Sequence, residues 1–301
     1  MSAQRNIAID SEPWLKLKEE AARRNKNVRD FAGEILADYA RGFRPAEKKK
    51  TKAIIIAAGM STRMRELTTD RPKCMLEVGG KTVIRRQIDI FRQCGIDDII
   101  VVRGYKKERI NYSDVRYVYN ANYRQNNILE SLMSAQAEMT GSFIASYSDI
   151  VFEKKVVEAL LRSKADISVV VDSDWKKNYK DRFQHPVEEA ENVIIRNGGI
   201  ARIAKTISPV EASGEFIGMM KFSGRGAEKL KQVYAELKSG LDPCAPFHTA
   251  PSLQRAYMTD MFQELVDRGH TVSPVLIRGN WTELDTAEDF HKASKRFSVV
   301  R

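Results

Sequence analysis

The chain has 301 residues, a formal net charge of +10 and three widely spaced cysteines. This length predicts one large domain with a smaller companion. The chain contains no apolar run of membrane-spanning length and no signal-peptide pattern, so we expect a cytoplasmic protein with no membrane association. Few, separated cysteines indicate reduced thiols and argue against a disulfide framework or a zinc site. The positive charge favours anionic partners such as nucleotides, phosphorylated molecules or nucleic acid.

Residues 1–42 form a separate strand–helix–helix pattern. Residues 5–10 alternate apolar and polar side chains, as a strand does, and Asp10 or Ser11 is placed to cap a first helix. A second helix is predicted from about Val28, with its apolar residues on one face. Residues 43–52 are charged and contain a proline, which predicts a linker.

This N-terminal pattern resembles the ribbon-helix-helix module. In that family two chains pair their strands, so the resemblance implies a homodimer. It also implies that Gln4, Asn6 and Ala8 face DNA. Because Ala8 carries no group that can read a base edge, a module that only dimerises is as good an interpretation as one that binds an operator.

Residues 53–78, AIIIAAGMSTRMRELTTDRPKCMLEV, are the most informative segment of the chain. A short β-branched run predicts a buried strand. The small residues 57–59 at its end allow backbone N–H groups to approach a phosphate closely. Arg63 and Lys73 then offer two cations to a polyphosphate. An ordinary strand–turn–helix with a solvated lysine is the structural alternative.

The order of small-residue loop, arginine and Pro-Lys resembles the signature of the sugar-nucleotide-type nucleotidyltransferases, which is roughly AAGxGxR…PK. Ser61 departs from it, since it stands where the family has its second glycine. The resemblance implies that Arg63 and Lys73 are catalytic. It also implies that the loop binds the nucleotide through Ala57, Ala58, Gly59, Met60 and Ser61.

Strands and helices alternate after this loop. Helical spacing predicts a helix over Val83–Gln93, and apolar runs predict strands over Ile99–Arg103, 115–119 and Phe143–Tyr147. Residues 192–205 predict a hairpin around an Asn-Gly turn. The alternation predicts a doubly wound, mostly parallel, Rossmann-like α/β sheet over residues 53–301, with ligands at the carboxyl ends of its strands.

Three carboxylates follow predicted strands and are candidate Mg²⁺ ligands. Asp149 follows a buried strand, and Glu283 and Asp285 have the spacing that places two side chains on one face of an extended segment. Hard oxygen donors are what Mg²⁺ prefers, and the family resemblance also implies that these three residues hold the metal. The alternative for Asp285 or Thr286 is a helix cap, with Asp289 completing a box-like pair.

The segment Asn120–Leu132 contains two adjacent asparagines and a serine one turn later. The same order occurs in the cytidylyltransferases for phosphocholine and for 2-aminoethylphosphonate, where it contacts the nucleotide. The resemblance implies that Asn127 and Ser131 bind CTP. Amides carry both a donor and an acceptor, which suits a pyrimidine edge, although an N-cap role explains an asparagine here equally well.

The likeness to these cytidylyltransferases extends over residues 53–295 and implies transfer of CMP from CTP to a small phosphate or phosphonate acceptor. Lys205 and Arg182 would bind the acceptor's anionic group. Three aromatic rings, those of Trp175, Tyr179 and Trp281, would face an ammonium group unless they only pack the core. The four histidines lack metal-ligand spacing and receive no role. A sugar-1-phosphate nucleotidyltransferase, or a ligand-sensing transcriptional regulator, is the alternative function. The candidate acceptor-binding residues are Trp175, Tyr179, Arg182, Lys205 and Trp281.

Overall fold

The computed structural model describes residues 10–42, 51–60, 62–180 and 182–296. The chain divides into two compact units, Met1–Lys49 and Lys50–Arg301. The first contains helices α1 (Ser11–Arg23) and α2 (Val28–Gly42). All but the last residue of the predicted ribbon strand lies outside the described residues. Asp10 takes the N-cap position of α1, but its side chain makes no capping hydrogen bond within the described part of the chain.

The second unit alternates strands with helices. Its strands are β1 (Lys52–Ala57), β2 (Glu77–Val78), β3 (Lys81–Thr82), β4 (Ile99–Arg103), β5 (Arg116–Tyr119), β6 (Phe143–Tyr147), β7 (Ile150–Phe152), β8 (Ile167–Asp172), β9 (Asn192–Arg196), β10 (Gly199–Ala204), β11 (Gly214–Phe222), β12 (Ser273–Ile277) and β13 (Trp281–Glu283). Its helices are α3 (Val83–Gln93), α4 (Ile128–Met133), α5 (Lys154–Arg162), α6 (Gly224–Gly240), α7 (Met258–Asp267) and α8 (Ala287–Arg296). None of the described helices is both long and apolar enough to cross a membrane.

A central sheet organises the second unit, and nine of the described strands belong to it. Strand β1 lies between β4 and β6 and is parallel to both, and β5 continues the parallel part beyond β4. Strand β11 runs antiparallel to β6, β8 and β9, and β12 is parallel to β8. The predicted doubly wound, mostly parallel α/β fold is confirmed, with an antiparallel extension built from β9 to β11.

Both faces of the sheet are buried, which explains the continuous apolar run of β1. Alternate side chains of a strand point to opposite faces. Ile55 packs in one hydrophobic core with α3 and α5, whereas Ile54 and Ile56 pack in the other with α4, α6 and α7. Because β1 and β6 are parallel neighbours, the segments that follow them meet at the same edge of the sheet.

The β9–β10 hairpin confirms the prediction made from its turn residues. Asn197 and Gly198 both have positive φ, at 51° and 76°. A two-residue turn of this kind needs positive φ at both central positions, which asparagine and glycine tolerate best. The two strands that it joins pair from Gly199 opposite Arg196 to Ala204 opposite Asn192.

Candidate active site

A cleft lies at the carboxyl edge of β1 and β6, where ligands bind in sheets of this kind. Polar and ionisable side chains dominate its wall. The lining includes Gly59, Arg63, Lys73, Asn127, Tyr147, Asp149, Tyr179, His185, Glu189, Glu191, Lys205, Glu215, Tyr257, Trp281, Glu283 and Asp285.

The three predicted metal-ligand carboxylates, Asp149, Glu283 and Asp285, all line this cleft. A short two-stranded sheet brings them together, since β13 pairs antiparallel with β7 and places Glu283 opposite Ile150. The backbone N–H of Leu284 also donates to the carbonyl of Asp149, at 2.9 Å. This pairing explains how residues from distant parts of the chain come to share one site.

The capping alternative for Asp285 is resolved by the hydrogen bonds at the start of α8. Thr286 and Asp289 form the reciprocal cap, because the Asp289 carboxylate accepts from the Thr286 N–H at 2.9 Å and Thr286 Oγ1 accepts from the Asp289 N–H at 3.2 Å. Asp285 contributes only its backbone N–H to this cap. Its carboxylate therefore remains available to the cleft.

Lys73 lies between two of the carboxylates. Its Nζ is 2.9 Å from Asp149 Oδ2 and 2.6 Å from Asp285 Oδ1, and only 11% of its side chain is exposed. Burial opposes the charge, but Asp149, Asp285 and Glu283 outweigh it and raise the pKa of Lys73. Lys73 is thus a fixed cation at the centre of the site and cannot act as a base near neutral pH.

Arg63 is the second predicted cation of the cleft. Its guanidinium lies 2.9 Å from Asp285 Oδ2 and 2.9 Å from Glu189 Oε2. About half of the side chain is exposed. Burial opposes the charge, yet Asp285, Glu283 and Glu189 raise the pKa of Arg63 overall. Both cations that the sequence singled out therefore meet at one carboxylate, Asp285.

The pKa values of two carboxyl groups in the cleft, Glu283 and Asp285, are shifted in opposite directions. Burial raises the pKa of Glu283, and the nearby Asp285 and Asp149 raise it further. Burial also opposes ionisation of Asp285, but Lys73 and Arg63 outweigh it and lower the pKa of that carboxyl. The pKa values of these two carboxyl groups are thus shifted in opposite directions by their different partners.

The donor set fits a divalent cation. Asp149 Oδ1 is buried and has no hydrogen-bond partner within the described residues, which is an unusual state for a carboxylate oxygen. His185, Glu283 and Asp285 each offer a ligand atom within 4.8 Å of one another. Carboxylate oxygens at this density are the ligands that Mg²⁺ uses in phosphoryl-transfer sites.

The nucleotide residues named from the sequence are only partly in the cleft. Gly59 lines it, and Asn127 lines it while also capping α4 through its side-chain oxygen. Ser131 is a correction: its buried hydroxyl donates to the Asn127 carbonyl and accepts from Asn120, both at 3.0 Å, and it is not part of the cleft wall. Of the remaining loop residues, Ala57 and Ala58 are buried, Met60 is exposed, and Ser61 lies outside the described residues.

Some of the predicted acceptor-binding residues line the cleft and others do not. Tyr179 and Lys205 line the cleft. Trp281 also lines the cleft but is almost fully buried, and its indole N–H donates to Asp172 at 2.7 Å. Trp175 is a correction, since it is buried against Tyr179 in a small hydrophobic cluster and does not line the cleft.

Arg182 is the second correction among the acceptor residues. Its guanidinium forms a two-point pair with Asp289, at 2.7 and 2.8 Å, and 5% of the side chain is exposed. Such a pair occupies the planar fork that would otherwise bind a phosphate. Arg182 therefore fixes a loop to α8 and is not available to an acceptor.

Sequence reasoning missed two acids in the cleft, the partly buried Glu191 and the buried Glu215. Glu215 accepts a hydrogen bond from the Tyr179 hydroxyl at 2.5 Å, and its Oε2 is buried without a partner among the described residues. Burial raises the pKa of Glu215 to about 8 and that of Glu191 to about 7. A usable signal existed for Glu215, because an acid inside the continuously buried strand β11 breaks the pattern of that strand.

His185 is a third residue that sequence spacing could not identify. It is almost fully buried, and burial together with Arg182 lowers the pKa of its imidazole. The ring lies 3.2 Å from Asp285 Oδ2 and faces the cleft. A lone histidine in a loop carries no periodic signal, so only the folded loop shows where it lies.

Comparison with known proteins gives the family. CTP:phosphoglutamine cytidylyltransferase of Campylobacter jejuni is 31% identical over 79% of this chain and 96% of that protein. Choline-phosphate cytidylyltransferase of Streptococcus pneumoniae is 31% identical over 56% of this chain and 80% of that protein. The solved structure of the CTP:phosphocholine cytidylyltransferase of the same organism shares the fold, with a TM-score of 0.62, 22% identity and coverage of 83% of this chain and 100% of that chain.

The family profile for MobA-like NTP transferase domains matches residues 53–237. This range contains the small-residue loop, Arg63, Lys73 and Asp149. Glu283 and Asp285 lie beyond it and join the site through β13. The predicted nucleotidyltransferase class is confirmed, and the chain belongs to the family of MobA-like NTP transferase domains.

Proposed function

We propose that the second unit transfers CMP from CTP to a small acceptor that carries a phosphate or phosphonate together with a cationic nitrogen, releasing pyrophosphate. The observation that carries this proposal is the pairing of charges in one cleft. Arg63 and Lys73 suit the phosphates, and the buried carboxyl of Glu215, whose Oε2 has no partner within the described residues, suits a cation. The relatives named above act on phosphoglutamine and phosphocholine, which both combine phosphate with a cationic nitrogen.

The reaction needs positioning and charge neutralisation more than covalent chemistry. An anionic oxygen of the acceptor attacks the α-phosphorus of CTP, a new P–O bond forms, and the bond to the leaving pyrophosphate breaks. Lys73 is placed to neutralise charge where acceptor and α-phosphate meet, and Arg63 to hold the outer phosphates. Both cations are held by Asp285 before any substrate binds, so little reorganisation is required.

We also propose that the reaction depends on Mg²⁺ held by Asp149, Glu283 and Asp285. The unpartnered Oδ1 of Asp149 and the convergence of the three side chains on one cleft support this assignment. When bound, the ion would supply Lewis-acid neutralisation of the phosphate oxygens. The carboxyl of Glu283, whose pKa is raised, would then bind the ion in its ionised form.

The direct test is release of pyrophosphate by the purified chain. Each of the four ribonucleoside triphosphates and dTTP is offered with phosphocholine, 2-aminoethylphosphonate, phosphoglutamine and glucose 1-phosphate, with and without EDTA. We expect Mg²⁺-dependent release with CTP and an acceptor that carries a nitrogen cation. Equal rates with every nucleotide, or activity confined to glucose 1-phosphate, would contradict the proposal and favour the sugar-1-phosphate alternative.

Binding of the acceptor should release protons from Glu215. Burial raises the pKa of this carboxyl to about 8, so it is mostly protonated at pH 7, and a bound cation favours its ionised form. We expect the wild-type protein to release up to about one proton more per acceptor bound than Glu215→Gln does. Calorimetry in buffers of different ionisation enthalpy measures this difference. Equal proton release by both proteins would place the cation elsewhere.

We further propose that residues 1–42 make the protein a homodimer through the predicted ribbon strand, with DNA binding as a separate property of that ribbon. The division of the chain at Lys49 supports a module of its own. Light scattering should show a dimer for the full chain and a monomer after deletion of residues 1–49, with pyrophosphate release retained. A monomeric full-length protein would refute the ribbon pairing. If the protein fails to retain promoter DNA at low salt, dimerisation is the one proposed role of residues 1–42 that remains.

A further inference from the structure

The loop before β9 holds His185 in a fixed position over the cleft. The backbone N–H groups of Phe183 and Gln184 both donate to Glu288 Oε2, at 2.9 and 3.0 Å. Arg182 adds its two-point pair with Asp289. Three consecutive residues are therefore anchored to the first turn of α8. His185 follows them directly and is 4% exposed.

The hydrogen bonds of the ring define which nitrogen carries the proton. Arg182 Nη2 lies 2.8 Å from His185 Nδ1. The same nitrogen also lies 3.2 Å from Asp285 Oδ2. The shorter contact is the one from Arg182, and a guanidinium can only donate, so Nδ1 is assigned as the acceptor and the neutral ring carries its hydrogen on Nε2. Nε2 is buried and has no hydrogen-bond partner among the described residues. A buried N–H without a partner is costly, and this one belongs to a side chain that lines the cleft.

An oxygen of Glu189 lies close to this donor and to Arg63. Glu189 Oε2 is 2.9 Å from Arg63 Nη1 and 3.6 Å from His185 Nε2. The Glu189 side chain is 49% exposed, so its pairing with Arg63 is weak. An anionic oxygen therefore lies where a guanidinium and an imidazole N–H converge, and it is held only loosely there.

We infer that His185 is a phosphate-binding residue, whose Nε2–H joins Arg63 in binding an anionic oxygen of the nucleotide's phosphates and of the pyrophosphate product, displacing Glu189. The identity of the ligand rests on the proposed function, whereas the two-donor site rests on the geometry of these three side chains. A phosphoryl oxygen carries more charge than a carboxylate oxygen and forms charge-assisted hydrogen bonds with such donors. Glu189 is then an internal competitor for the same position.

The test compares two replacements of His185 by amide side chains, which place their polar groups near different nitrogens of the imidazole ring. Gln at position 185 can place an N–H near Nε2, whereas Asn can place an oxygen near Nδ1 and keep the contact with Arg182. Binding of inorganic pyrophosphate to the full-length chain is measured by calorimetry for wild-type, His185→Gln, His185→Asn and Glu189→Gln proteins, with circular dichroism as the check on folding. Steady-state kinetics gives the KM for CTP alongside.

We expect His185→Asn to weaken pyrophosphate binding by about tenfold or more and to raise the KM for CTP, while His185→Gln stays within a few-fold of wild type. Glu189→Gln should tighten binding by a few-fold, because it removes the competing charge from an exposed position that tolerates substitution. Weaker binding by Glu189→Gln, equal losses in both histidine variants, or retention only in His185→Asn would overturn the inference. So would failure of the wild-type protein to bind pyrophosphate. Binding in this pattern without turnover on any acceptor would instead count against the proposed function.

Discussion

Replacing Lys73 with methionine should lower turnover by about 10²–10³-fold, the usual effect of removing one preorganised charge from a transition state. Methionine keeps much of the side-chain length but no charge. Because Lys73 Nζ lies within 2.9 Å of both Asp149 and Asp285, the variant also brings two carboxylates together without their shared cation. We therefore expect a lower melting temperature as well as a lower kcat, with a smaller change in the KM for CTP.

The matched control is Lys231→Met in α6. Lys231 is also a partly buried lysine in an ion pair, 2.7 Å from Glu228, but it does not line the cleft. The control should keep wild-type turnover and differ only slightly in stability, since ion pairs with an exposed partner contribute little. Folded Lys73→Met protein with wild-type turnover would remove Lys73 from the mechanism.

The parts of this protein that its sequence predicts are those fixed by local chemistry. The apolar run of β1, the small residues after it and the Asn197–Gly198 turn each act through neighbours in the chain. The two-residue spacing of Glu283 and Asp285 is also a local feature, because Glu283 is the last residue of the short strand β13 and Asp285 lies just beyond it. Such features depend on backbone geometry within a few residues, and the fold preserves them.

The buried acids and His185 depend on packing between distant elements, which no local pattern records. Glu215 is buried because β11 pairs with β8 and β9 across the sheet. His185 reaches the cleft because its loop is attached to α8, about one hundred residues later in the chain. Long-range packing also takes Arg182 out of the cleft wall, because its partner Asp289 lies 107 residues later. Trp175 is instead buried by nearer residues, Tyr179 and Ala190.

The segment that contains Asn127 and Ser131 fits both a nucleotide-binding role and a structural role at the start of α4. The order of Asn127 and Ser131 is that of a nucleotide-binding segment, yet the Ser131 hydroxyl supports the turn that begins α4. Asn127 in contrast caps the helix with one atom and still faces the cleft. A polar residue near a helix start is therefore assigned to a ligand only when the fold shows its side chain at the cleft.

Replacing Asp285 with asparagine should lower turnover by about 10²–10³-fold and should also raise the Mg²⁺ concentration needed for half-maximal activity. Asp285 Oδ1 is 2.6 Å from Lys73 and Oδ2 is 2.9 Å from Arg63. An amide has one oxygen and one N–H group, so one of these two cations would face a donor in place of an acceptor. Lys73 and Arg63 lower the pKa of Asp285 and so stabilise its negative charge, which asparagine lacks at every pH.

The Mg²⁺ titration separates the two roles of Asp285. If the carboxylate is a metal ligand as proposed, half-maximal activity should require at least about tenfold more Mg²⁺, because even outer partners of metal ligands typically change affinity by 10–100-fold. The control is Asp267→Asn at the end of α7, where the Asp267 carboxylate accepts a hydrogen bond from Gln263 of the same helix. It should match wild type in both measurements. Lost turnover with an unchanged Mg²⁺ requirement would restrict Asp285 to positioning Lys73 and Arg63, and would leave Asp149 and Glu283 as the carboxylates of the metal site.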